Sequence, residues 1–258
     1  MFALVLLAAT LGGSGPAPAP HGERVRIPPG SYRPLYAPSG AGRVHVAAFS
    51  IDKEPVTRAD FETFVRQNPE WQRGAIKGVF AESAYLSDWR SATDAGTEGR
   101  QRPVTEVSWF VAKAYCTWRG GRLPTVDEWE YVAAASATKR DASDDPSHET
   151  ALVSTYTQRA GHSIRDVGSS RPNAFGVSDL HELVWEWTSD FNSVLVSDDS
   201  RSMGAGGDER DHHLFCASAA IGATAPTDYA AFLRYAFRAG LTGRSTVRSL
   251  GFRCAGSV

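Results

Sequence analysis

The sequence predicts a single α+β domain, rich in loops and pinned by large aromatic side chains. Three observations carry that expectation. Segments near the N-terminus alternate apolar and polar residues with the period of a strand. Helical segments with capping signals interleave with them. Twenty-four Gly, fourteen Pro and seven Trp among 258 residues argue against a helical bundle.

The chain opens with an apolar run from Phe2 to Leu11. Ten residues are too few to span a bilayer as a helix, but they fit the core of a secretory signal. A small-residue, Pro-rich stretch follows and suits a cleavage region and tether. Residues 1–22 are therefore read as signal and linker, and 23–258 as the domain. Export to the periplasm or outside the cell is the expectation, with no integral membrane segment in the mature chain.

ERVRIPPGSYRPLY alternates around a Pro-Gly turn, and RVHVAAFSIDKEPVT repeats the alternation before turning into a helix. Thr57 and Asp60 form a capping box there, with Phe61, Phe64 and Val65 as the apolar face. Residues 68–102 show no steady period and read as loops. Two helices follow. One starts at Ser108 and stops at Gly120-Gly121; the other has Thr125 as N-cap and Glu128 three residues on. Residues 136–172 are poor in large apolar groups, and ATKRDASDDPSHET within them reads as an exposed loop. NAFGVSDLHELVWEWTSDF supplies a turn and a tryptophan-rich strand or turn. A short helix near 228–234 and terminal strands complete the chain.

The formal net charge of −2 provides no argument for a nucleic-acid partner. The three cysteines are Cys116, Cys216 and Cys254. An oxidising compartment would permit one disulfide and leave one thiol over. Around that third cysteine the residues read DHHLFCAS. His212, His213 and Cys216 offer ligands for copper or zinc, and Asp211 could orient one imidazole. Adjacent side chains in extended structure point in opposite directions, so the plainer reading is a solvated turn leading to a buried thiol. Trp109, Trp118, Trp129, Trp185 and Trp187 are read as core. Arg122 and Arg253 are expected to pair with buried acids such as Glu128 or Glu130.

GRLPTVDEWEYVAAA at 121–135, VSDLHELVWEWTSDF at 177–191 and SLGFRCA at 249–255 resemble the sulfatase-modifying-factor family, which includes the formylglycine-generating enzymes. PPGSYRPLY and FSIDKEPVTRADFETFV are similar to that family's start. The resemblance covers residues 24–256. It implies a C-type-lectin-like core with little regular secondary structure. It also implies relatives of several kinds: copper-dependent oxidases of client cysteines, iron-dependent enzymes with an added helical domain, and accessory factors. Fold alone therefore does not choose the function.

Carried over by position, the resemblance implies a Cys116–Cys254 disulfide. It implies a structural calcium held by carboxylates of Asp179 and Glu186 and carbonyls of Glu182 and Val184, hard oxygen ligands that suit this ion. It places a peptide groove near Asp228, Arg234, Tyr235 and Arg238. The oxidase needs two thiols near the C-terminus, but TAPTDYAAFLRYAFRAG (224–240) contains no cysteine, and positions such as Thr227 and Phe232 stand where thiols would fall. The expected function is an accessory or maturation factor that binds a client protein or peptide without formylglycine chemistry. The alternatives are a divergent copper-dependent oxidoreductase acting through Cys216, and a lectin-like binding module.

Overall fold

The computed structural model describes residues 22–35, 42–159, 161–192 and 229–258. Within them the architecture is α+β and loop-rich, as expected: three small sheets and five α-helices. β1 (Arg24–Ile27) pairs antiparallel with β4 (Phe49–Asp52), and β4 pairs on its other edge with β7 (Ala255–Gly256). β2 (Gly30–Tyr32) and β3 (Val44–Val46) form a second antiparallel pair. β5 (Trp185–Glu186) and β6 (Leu250–Gly251) pair in parallel. The alternation in the sequence is the physical cause: Ile27, Phe49 and Ile51 point inward and are at most 1% exposed, as a period of two requires.

The capping signals hold in detail. In α1 (Arg58–Gln67) Thr57 and Asp60 make the reciprocal box, and Phe61, Phe64 and Val65 are buried. Ser108 caps α2 (Trp109–Trp118), which ends at Gly120 with φ +68°. Thr125 and Glu128 box the start of α3 (Val126–Ala133). Arg122 then clamps Glu128 through two nitrogens, each at 2.6 Å.

One segment departs from the sequence reading. Residues 146–159, which begin inside the stretch expected to be an exposed loop and continue through the polar region after it, form α4 (Pro146–Arg159). Only Tyr156 is buried along it, so no apolar stripe betrays the helix. The start signal was nonetheless local: Asp145 Oδ1 accepts from Ser147 N at 3.1 Å and Pro146 opens the first turn, a favoured place for proline. The last helix, α5 (Tyr229–Ala239), runs a turn beyond the expected end at 234.

Among the described residues two large buried clusters, and a smaller one of Leu35, Val126, Ala231 and Tyr235, make the core. The first gathers Phe61, Phe64, Tyr115, Trp187 and Phe252 with Cys116 and Cys254. Those two cysteines form a disulfide with Cα atoms 5.4 Å apart, tying α2 to the chain just before β7. The second packs Ile27, Phe49, Ile51, Trp129, Val132 and Leu180. Among the described residues three non-glycine residues adopt positive φ: Leu86 (48°), Glu106 (56°) and Asp179 (61°). Each is over-determined by bonds around it, which such backbone needs. Arg73 Nη1 donates to the carbonyls of Leu86, Ser87 and Trp89, and Leu86 N donates to the Glu106 carbonyl.

Candidate functional site

A groove of about 1100 Å³ runs between α4 and the β5–β6 pair. Thr155, Tyr156 and Arg159 of α4 line one side; Trp185 lies at the floor; Glu106 and Arg248 stand on the other side. The VWEW stretch explains the placement of Trp185. Val184, Glu186 and Trp187 are buried, and Trp185 is the half-buried member. Its backbone is fixed by pairing with Leu250, next to Gly251, where a Cβ would lie 2.7 Å from the Val104 carbonyl oxygen. The indole stacks on Phe237 with centroids 4.8 Å apart, and the Arg159 guanidinium lies 4.1 Å from its centre. Glu106 is buried at the groove wall. Its carboxylate accepts from Ser87 N (2.9 Å), Ser87 Oγ (2.7 Å) and Arg248 Nε (3.2 Å).

Behind the groove lies a buried polar cluster. Arg234 and Arg238 stand one turn apart on α5, so both reach Glu130 of α3. Arg234 meets the carboxylate at 2.7–3.1 Å and Arg238 at 2.6 Å. Burial pushes the Glu130 carboxyl up, but the two guanidinium groups outweigh it and hold its pKa below the ordinary value. Arg234 Nη1 also donates to Tyr156 Oη at 3.1 Å, and Tyr156 lies 2.7 Å from His181 Nδ1. A guanidinium only donates, so the tyrosine spends its proton on Nδ1, and the His181 proton sits on Nε2 facing the Ala133 carbonyl at 3.1 Å.

That assignment makes His181 a neutral buried histidine. Burial, then the nearby Arg234, push its pKa from the ordinary 6.5 down to about 3. Between those two values the unfolded chain holds a proton that the folded chain refuses, so stability falls as pH drops from 6.5 toward 3. The slope for this one group is about 1.4 kcal/mol per pH unit. His181→Gln, whose amide can serve both partners, should flatten urea-derived stability between pH 6.5 and 4.5 by that amount per unit. Identical slopes in both proteins would refute a neutral His181.

The structure redistributes several expected site residues. Arg234, Tyr235 and Arg238 are at most 6% exposed and face the Glu130 cluster, not the groove. Arg234 and Arg238 spend their guanidinium groups on the buried Glu130, where leaving a charge unpaired is costly, and Tyr235 packs with Leu35, Val126 and Ala231. Arg253 pairs with Glu186, at 2.8 Å on both oxygens, and not with Glu128 or Glu130. Trp185, read as core, packs against the first core cluster and also lines the groove. Asp228, His212, His213 and Cys216 lie outside the described residues.

The four residues expected to hold calcium sit on one tight turn. Both carboxylates already have protein donors. Asp179 accepts from the amides of Gly168 and Ser170, and its own amide donates to Ser170 Oγ at 2.7 Å. Glu186 accepts from Arg253 and from Trp129 Nε1 at 2.8 Å. A cation here would share Glu186 with a guanidinium. Among the described residues, no group of three or more His, Cys, Asp or Glu is placed to hold a metal ion, and no helix is long and apolar enough to cross a membrane.

Sequence reasoning missed Tyr156, Arg159 and Glu106 as groove residues. The first two sit on the helix whose start reads as a loop. Glu106 carried no local signal, since its position depends on a left-handed backbone held by the 86–89 turn.

Comparison with known proteins places this arrangement. Residues 12–258 match the family described as sulfatase-modifying factor enzyme 1-like domain. The chain is 31% identical over 254 residues to a mouse protein named inactive C-alpha-formylglycine-generating enzyme 2, covering 84% of this chain and 78% of that one. It is 30% identical over 297 residues to the formylglycine-generating enzyme of Streptomyces coelicolor, covering 93% and 92%. The solved structure of PvdO from Pseudomonas aeruginosa shares the fold, with a TM-score of 0.50 at 18% identity, covering 92% of this chain and 95% of that one. The chain belongs to the sulfatase-modifying factor enzyme 1-like family.

Proposed function

We propose that this protein is an accessory or maturation factor that binds an extended segment of a client protein in the Trp185 groove, without formylglycine chemistry. The disulfide is the observation that carries the reading. It consumes Cys116 and Cys254, so Cys216 is the one thiol left in the sequence. A copper centre built on two neighbouring thiolates has no second sulfur here. The groove supports the binding half of the reading: a concave site with an aromatic floor and a few convergent polar groups is what peptide and small-ligand sites use. Similarity to a relative named as an inactive enzyme agrees with it.

The competing reading is a divergent copper-dependent oxidoreductase working through Cys216, with His212 or His213. Similarity to a relative named formylglycine-generating enzyme favours it. One experiment separates them. The purified protein is loaded with Cu(I), mixed with a pool of cysteine-containing peptides, and followed for oxygen uptake, aldehyde formation and peptide binding. Binding without oxygen uptake is the expected result, and Trp185→Ala should weaken it about tenfold or more, as loss of a central aromatic anchor does. Oxygen uptake abolished by Cys216→Ser would establish the oxidoreductase instead. Sugar binding with no peptide binding would favour the lectin-like module.

Two further expectations belong to the same proposal. Calcium at the 179–186 turn would raise the melting temperature over an EDTA-treated sample; equal values would remove it. Export agrees with a structural disulfide, which oxidising compartments favour, and the N-terminal sequence of the protein isolated from its host decides it.

A further inference from the structure

Among the described residues the buried and half-buried arginines meet a carboxylate, except Arg159 and Arg73, and Arg73 spends its guanidinium on the carbonyls of Leu86, Ser87 and Trp89. Arg253, Arg234 and Arg238 each meet a buried carboxylate. Arg159 does not. Its guanidinium lies over Trp185 at 4.1 Å and near Tyr156 at 5.1 Å, and Nη1 donates to the His181 carbonyl at 3.0 Å. Among the described residues no acid forms an ion pair with it. Glu182, which lines the same groove, accepts from the His181 amide at 3.1 Å instead. Burial lowers the Arg159 pKa, and the attraction of Tyr156, Glu182 and Glu186 offsets this only in part.

The other groove cations are differently disposed. Arg248 is bonded to Glu106 and 86% exposed at its side chain. Arg165 and His162 are exposed, on the chain that follows α4. Arg159 is thus the groove cation that is partly desolvated, held by an aromatic platform and a carbonyl, and left with donors to spare. A guanidinium so held is pre-organised, and its planar fork matches a carboxylate.

We propose that Arg159, laid on Trp185 and Tyr156 at the groove floor, anchors a carboxylate of the bound peptide, an Asp or Glu side chain. This rests on the client-binding reading above and specifies its ligand. The groove's own acids choose the carboxylate over a phosphate. Asp88, Glu106 and Glu182 line the same groove, and a dianion would meet more like-charge repulsion there than a single negative charge.

The test uses three fluorescent octapeptide pools, identical in their randomised neutral positions, with a central Glu, Gln or phosphoserine. Affinities are measured by anisotropy on the full chain and on Arg159→Gln and Arg159→Lys. The Glu pool should bind at least tenfold tighter than the Gln pool. That preference should vanish in Arg159→Gln and shrink in Arg159→Lys, which keeps the charge and loses the fork. An unchanged thermal melting transition in Arg159→Gln shows that the fold around the groove is intact. Equal binding of the Glu and Gln pools by the native protein would overturn the carboxylate anchor and leave the groove reading standing. A preference for phosphoserine alone would also overturn it. Failure of every pool to bind would sink the client-binding reading and this inference together.

Discussion

Glu130→Ala is expected to destabilise the protein by about 3–5 kcal/mol, the loss that follows when one partner of a buried ion pair is removed. The carboxylate sits between two guanidinium groups at 2.6–2.7 Å, and all three side chains are at most 6% exposed. Its removal leaves two cations in an apolar setting beside the Trp129 ring, 5.0 Å from Arg238 and 5.8 Å from Arg234. Glu130→Gln keeps the shape but not the charge and should lie nearer the severe end than an isosteric swap suggests. Replacing all three residues with Met should recover much of the loss, because no charge is then left unpaired. Urea denaturation of the single and triple variants measures both. A single variant within 1 kcal/mol of the native protein would show that the cluster is hydrated and not buried as described.

The second large effect concerns the disulfide. Its cysteines are 138 residues apart in sequence. Opening a loop of that length returns about 5 kcal/mol of chain entropy to the unfolded state in the loop-closure model. The Cys116→Ala/Cys254→Ala double variant should lose stability on that scale, and reductant should bring the native protein to the same level. Reductant without effect on the native protein would show that the two thiols are unbridged in solution. The same experiment isolates Cys216, so the thiol count after denaturation should read one before reduction and three after.

Much of the fold was legible because its signals are local. Thr57 with Asp60, Ser108, and Thr125 with Glu128 each announce a helix start within four residues, and the structure realises all three. Period-two alternation placed the β1 and β4 strands. The α4 helix escaped because a polar surface helix with one buried residue leaves no stripe to detect. The site was harder still. Arg122–Glu128 was readable, six residues apart on neighbouring motifs. Arg253–Glu186, 67 residues apart, was not.

By itself, then, the sequence determined three helix starts and the first strands, that residues 224–240 carry no cysteine, and which family motifs are present. Periodicity, capping and composition are properties of neighbouring residues, so they can be read without coordinates. Only the tertiary structure decided that Arg234 and Arg238 face inward to Glu130 while Arg159 faces the groove. All three are arginines on helices, and nothing in their local sequence tells them apart. The difference is the element packed against each helix, α3 with its buried acid behind α5 and the Trp185 strand beside α4. Burial of a charge is set by what lies across the interface, which is a long-range property of the fold.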